Sequence, residues 1–143
     1  MSSHALKVLA HAAVTVSSTG NTTLITCPSG HVYTIYFAAL YLDEGSSNTI
    51  KGYFELSDTA GANFHRVSNI FETDNLGGAS TFQAAGQDAL NDPTAADEPP
   101  TEATISMYGL SMEYGQVLRF NCSNAGAGGP TGSVVVTGID STL

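Results

Sequence analysis

The chain has no tryptophan, only two cysteines and only four basic side chains in 143 residues. Each shortage narrows what it can be. Lys7, Lys51, Arg66 and Arg119 stand singly against 13 acidic residues, giving a net charge of −9. A phosphate-binding surface needs clustered Lys and Arg to release counterions, so no nucleic-acid partner is expected. An anionic membrane surface is disfavoured on the same ground. No apolar run approaches the ~20 residues of a membrane span. The stretch before Ala10-His11-Ala12 is short and interrupted by Lys7, which does not fit a secretory leader. Cys27 and Cys122 each fall near the end of an expected strand and read as small buried hydrophobes. A disulfide between them stays open, because pairing cannot be deduced from sequence.

Motifs that carry chemistry are also missing. The run from Asn124 to Gly132 is rich in glycine but has no following Lys or helix, so it reads as a flexible hairpin connection and not a phosphate loop. His4, His11, His31 and His65 share no ligand-like spacing, and no metal or other cofactor is expected. No nucleophile elbow or Ser-His-Asp arrangement can be placed, so no catalytic residue is assigned and the chain is read as a non-enzyme. Asp43 to Asn48 is acidic and turn-like but lacks a calcium-loop pattern. Without tryptophan, the six tyrosines read as core or subunit interface before sugar platform.

What is present is period-two alternation along nearly the whole chain. Apolar alternation marks strands over Leu6–Val16, Thr22–Cys27, His31–Leu42, Thr49–Ser57, Phe64–Phe71, Ala103–Tyr108, Gln116–Ser123 and Ser133–Ile139. In the first, Leu6, Val8, Ala10, Ala12, Val14 and Val16 share a face. The fold expected is all-β: one antiparallel β-sandwich or jelly roll of about eight strands, spanning residues 1–143.

The third segment is the most informative. Pro28-Ser29-Gly30 supplies turn residues, and the pattern around it reads as a hairpin. His31–Leu42 is apolar on both faces. Val32, Tyr36, Ala38, Leu40 and Leu42 point one way, and Tyr33, Ile35, Phe37, Ala39 and Tyr41 the other. A strand with one wet face alternates apolar with polar. This one is expected to cover a core on one side and a neighbouring subunit on the other. Charged residues make up only 12% of the chain, about half the usual share, which suits a protein that hides surface in an assembly.

Residues 73–102, between the fifth and sixth strands, break the pattern. They hold Asp74, Asp88, Asp92, Asp97, Glu98 and Glu102 with no basic residue, two glycines in a row, and three prolines. A long acidic loop is expected there, with at most a helical turn over Thr81–Ala89, and loops this long are commonly functional.

Three stretches, at the two ends of the chain, resemble a family. The strand-and-turn Leu24-Ile25-Thr26-Cys27-Pro28-Ser29-Gly30, the entry Tyr114-Gly115-Gln116-Val117-Leu118-Arg119-Phe120, and the ending Val136-Thr137-Gly138-Ile139-Asp140 resemble small bacteriophage virion structural proteins of the head-decoration (cement) and tail-fibre-domain type. The resemblance covers roughly half the chain, and residues 73–102 are not part of it. It implies a viral structural protein made in the host cytoplasm and carried on the outer capsid surface. Such a protein would be a homotrimer docked on the major capsid protein. Tyr33, Tyr36, Phe37 and Tyr41 are then the expected subunit-interface residues, and Leu6, Val8, Asp88, Asp92, Asp97 and Glu98 the expected docking residues. The alternative is a receptor- or carbohydrate-binding jelly-roll module of a phage tail fibre.

Overall fold

The computed structural model of the chain describes residues 5–42, 50–68, 70–73, 81–85, 106–129 and 131–143. Every regular element among them is a strand: β1 (Lys7–Thr15), β2 (Gly20–Thr26), β3 (His31–Leu42), β4 (Ile50–Leu56), β5 (His65–Arg66), β6 (Phe71–Thr73), β7 (Thr81–Ala85), β8 (Ser106–Met112), β9 (Val117–Asn124) and β10 (Thr131–Thr142). They form two antiparallel sheets, a β-sandwich. The first has the order β1-β10-β3-β7, with β8 also on β3; the second has the order β2-β9-β4-β5, with β6 also on β4.

The pairings nest. β1 pairs β10, β2 pairs β9, β3 pairs β8, and β4 pairs β5 and β6. Successive pairs of one long folded-back ribbon therefore alternate between the sheets, which is the jelly-roll order. One consequence corrects the local reading of two turns. Pro28–Gly30 joins β2 to β3, which lie in different sheets, so it is a corner between layers and not a hairpin. The Gly-rich connection from β9 to β10 also crosses between sheets. Positive φ at Gly128 and Gly129 lets the chain change direction there.

The core lies between the inner faces. In the first sheet Val14, Ile35, Ala38, Leu40, Val134 and Val136 are buried; in the second Leu24, Ile25, Ile50, Phe54, Leu118, Phe120 and Cys122 are buried. Phe54 and Phe120 are register partners across β4 and β9, with ring centres 5.8 Å apart and planes tilted by 58°. That offset suits the ring quadrupoles. Beside them Gly52 has no substitute. A Cβ there would stand 2.5 Å from the Phe120 ring and 2.9 Å from the Asn121 carbonyl oxygen.

Three bulges change which residues reach this core. In β3 the register slips by one residue, with Phe37 opposite Thr137 but Ile35 opposite Gly138, so Tyr36 is the extra residue. Ile35 thus shares the core face with Ala38 and Leu40, against the strict alternation expected from sequence. In β1 the extra residue is Leu9. Leu9, Ala10 and Ala12 pack on the core, whereas Leu6 and Val8, expected on the same face as Val14, stay 54% and 59% exposed. In β2 the slip at Leu24 brings both Leu24 and Ile25 into the interior.

Other boundaries shift too. The single strand expected over Phe64–Phe71 is two short strands, β5 and β6, because Ser68 turns inward and accepts the Phe54 N–H at 2.8 Å. Within the acidic insertion, Thr81–Ala85 is the strand β7 on β3 and not a helical turn.

Candidate interaction surface

The outer faces of the two sheets have different chemistry. On the first sheet, cross-strand partners line up as His11–Val135–Ala39, Ala13–Ser133–Tyr41 and Thr137–Phe37. Val8 stands opposite Thr137 and Ile139 opposite Thr34. Among the described residues this face carries no Asp, Glu, Lys or Arg. Phe37, Ala39 and Val135 are half-buried and Tyr41 is 40% exposed. For a chain of net charge −9, a broad uncharged sheet face is a marked exclusion of charge.

The residues expected to form a subunit interface divide on this geometry. Phe37 and Tyr41 lie on the outer face, and Tyr36 sits at the bulge beside them. Tyr33 does not join them: it packs against the core cluster, and its ring lies near Asp140, its register partner. Burial and then the Asp140 charge push its phenol pKa up. Ala39 and Val135 complete the face and were not singled out from sequence. The signal was there in Val134-Val135-Val136, where three consecutive valines on one strand cannot all face the core. Of the expected docking residues, Leu6 and Val8 are exposed on β1. Asp88, Asp92, Asp97 and Glu98 lie outside the described residues.

The second sheet's outer face is polar and ionic. Glu55 lies opposite Arg119 on one side and Arg66 on the other. The Arg119 Nε donates to Glu55 Oε2 at 2.6 Å, and its guanidinium centre stands 3.4 Å from the centre of the Phe64 ring. Arg66 lies over Tyr53 at 5.9 Å. Asn121 donates to the Asn21 side-chain oxygen across β9 and β2. Three of the four basic residues, Lys51, Arg66 and Arg119, belong to this sheet.

The fourth, Lys7, closes one end of the sandwich. Its Nζ donates to Asp140 Oδ2 at 3.2 Å, while His31 Nδ1 lies 2.7 Å from Asp140 Oδ1. The His31 hydrogen bond first, and the Lys7 one after it, hold the Asp140 carboxyl below the usual carboxylate range. Cys27 lies close by, so a thiol, an imidazole and a carboxylate share this end. The thiol is not aimed at the ring, however. Cys27 Sγ is fully buried and contacts the carbonyl oxygens of His31 and Met112, each at 3.4 Å. Burial pushes its pKa up, the reverse of what an activated nucleophile needs. The cluster ties the beginnings of β1 and β3 to the end of β10. Among the described residues no group of three or more His, Cys, Asp or Glu could hold a metal ion. Cys122 is also a free, buried thiol.

No family model, no curated protein and no solved structure matches the chain.

Proposed function

We propose that this protein is an assembly subunit: a decoration protein that self-associates and docks on the outer surface of a viral head. The observation that carries the reading is the uncharged outer face of the first sheet, built on Phe37, Ala39, Tyr41 and Val135. Two copies at net charge −9 repel each other over most of their surfaces. A face that carries no Asp, Glu, Lys or Arg among the described residues is where they can meet without placing acid against acid. Area removed from water there contributes about 25 cal/mol per Å² before association costs are subtracted. Each single contact can then be weak, because many copies on a repeating surface bind through multivalency. The homotrimer and the major capsid protein as partner come from the sequence resemblance. A jelly roll hosts lectins as readily as capsid components, so the fold alone does not choose between them.

The test is light scattering of the purified chain over a concentration series, repeated with Tyr41→Glu, followed by sedimentation with undecorated heads. A wild-type oligomer whose mass Tyr41→Glu lowers, and that pellets with heads, supports the proposal. A wild-type protein that stays monomeric and ignores heads overturns it.

A further inference from the structure

A second surface stands out when the four sheet edges are compared. An edge strand presents unpaired N–H and C=O groups, and proteins blunt such edges with short strands, bulges or charge. Three edges here are blunted. β5 and β6 are two and three residues long. β2 is broken by its bulge at Leu24. On the far side of β3, β7 is five residues long, and β8 carries Gly109 at φ 75° with a register break opposite Tyr36.

β1 is different. Among the described residues it pairs β10 alone, and beyond its bulge the register runs unbroken from Ala10 to Thr15. That segment, Ala-His-Ala-Ala-Val-Thr, has no proline, no Lys, Arg, Asp or Glu, and three alanines that let another backbone approach closely. Past its end the Gly126 N–H donates to Val16 O at 2.8 Å.

We propose that the free edge of β1 is a strand-addition site, and that its occupant is β1 of a second copy of this chain, running antiparallel. Two arguments select the second copy. First, the segment is self-complementary. A two-fold axis centred on Ala12 sets Ala10 against Val14 on the core side and His11 against Ala13 on the outer side. Directly opposed residues point to the same face, so this register keeps every inward side chain inward. Second, charge permits it. The only Lys, Arg, Asp or Glu on β1 is Lys7, at its end and held by Asp140 of its own copy. The pairing therefore brings no carboxylate against another, although each chain carries −9. The first sheets of two copies become one continuous sheet, an isologous contact of the kind that closes dimers. This inference does not depend on the viral reading.

The experiment is residue-resolved amide exchange of the full chain, dilute and concentrated. In β1, alternate amides bond to β10 and the others point to the open edge. Pairing is expected to slow the edge-directed amides of Ala10–Thr15 by about tenfold or more on concentration, with the β10-directed ones unchanged. Ala13→Lys sets like charges across the two-fold on an exposed position and is expected to abolish that slowing while the fold is kept. Tyr41→Glu, on the outer face away from the edge, is expected to leave it intact. Edge amides that exchange equally fast at both concentrations overturn the proposal. So does slowing that survives Ala13→Lys, or that disappears with Tyr41→Glu.

Discussion

Gly138→Ala tests the packing argument most sharply. Gly138 sits at the register slip between β10 and β3, opposite Ile35. Its conformation is open to any residue, so its need for glycine is steric. A Cβ there would lie 2.2 Å from the Thr34 carbonyl oxygen and 2.8 Å from Leu9 Cδ1. The leucine tip can swing aside, but the oxygen is backbone of the adjacent strand and cannot. Relief requires opening the β10–β3 pairing by about an ångström at the centre of its sheet. Overpacking of this kind costs about 1–3 kcal/mol. One weakened ladder hydrogen bond adds about 1 kcal/mol. The sum is about 3 kcal/mol. At about 2.1 cal/mol/K of unfolding entropy per residue over 143 residues, that lowers Tm by about 10 °C. Gly128→Ala is the comparison. Nothing lies within 4 Å of its Cβ position, and its φ of +91° leaves only a conformational cost of about 1 kcal/mol. The assay is urea denaturation at fixed protein concentration, since self-association raises apparent stability. A Gly138→Ala protein within about 0.5 kcal/mol of wild type refutes the close-approach reasoning.

Asp140→Asn is expected to destabilise the protein at neutral pH. The folded carboxyl is held below its unfolded value, so its contribution is present above the unfolded pKa and fades as pH falls through the folded one. The gap between wild type and variant should therefore close on acidification below about pH 4, and a gap of constant size in denaturation curves between pH 7 and pH 3 would refute this. Cys27 and Cys122 are expected to resist a thiol reagent until the chain unfolds, and a reductant should leave the mass by light scattering unchanged. Rapid labelling of the native protein would contradict their burial.

Much of this sandwich is legible in the sequence because alternation is a local property. The buried alternation of β9, Leu118, Phe120 and Cys122, is visible directly in the chain. Bulges are not local. Whether Tyr36 is looped out depends on how Thr137 and Gly138 meet β3 from the opposite end of the chain, and no feature of His31–Leu42 alone records it. The same holds for the turns. Pro28-Ser29-Gly30 states that the chain bends, but whether it bends within a sheet or between sheets depends on β9 and β10 as partners. The Asp140–His31–Lys7 cluster joins residues more than a hundred positions apart, so spacing carried no trace of it.

The distribution of charge links the fold to the proposed role. Cations are scarce, and three of the four lie on the second sheet, where Arg119 and Arg66 flank Glu55 and stack on Phe64 and Tyr53. Among the described residues the first sheet's outer face carries no Asp, Glu, Lys or Arg, and a partly exposed ion pair there would contribute little by itself. Stability of the monomer therefore does not explain why one face is ionic and the other uncharged. The proposed association accounts for it: ionised groups at the centre of a protein contact must be desolvated, and their absence removes that cost. Under this reading, placing one carboxylate at Tyr41 should weaken self-association while leaving the denaturation midpoint of the dilute protein nearly unchanged. A similar charge change on the ionic face, Asn121→Asp, should leave association untouched. Equal effects on association from both variants would mean that overall charge, and not the chemistry of one face, governs how copies meet.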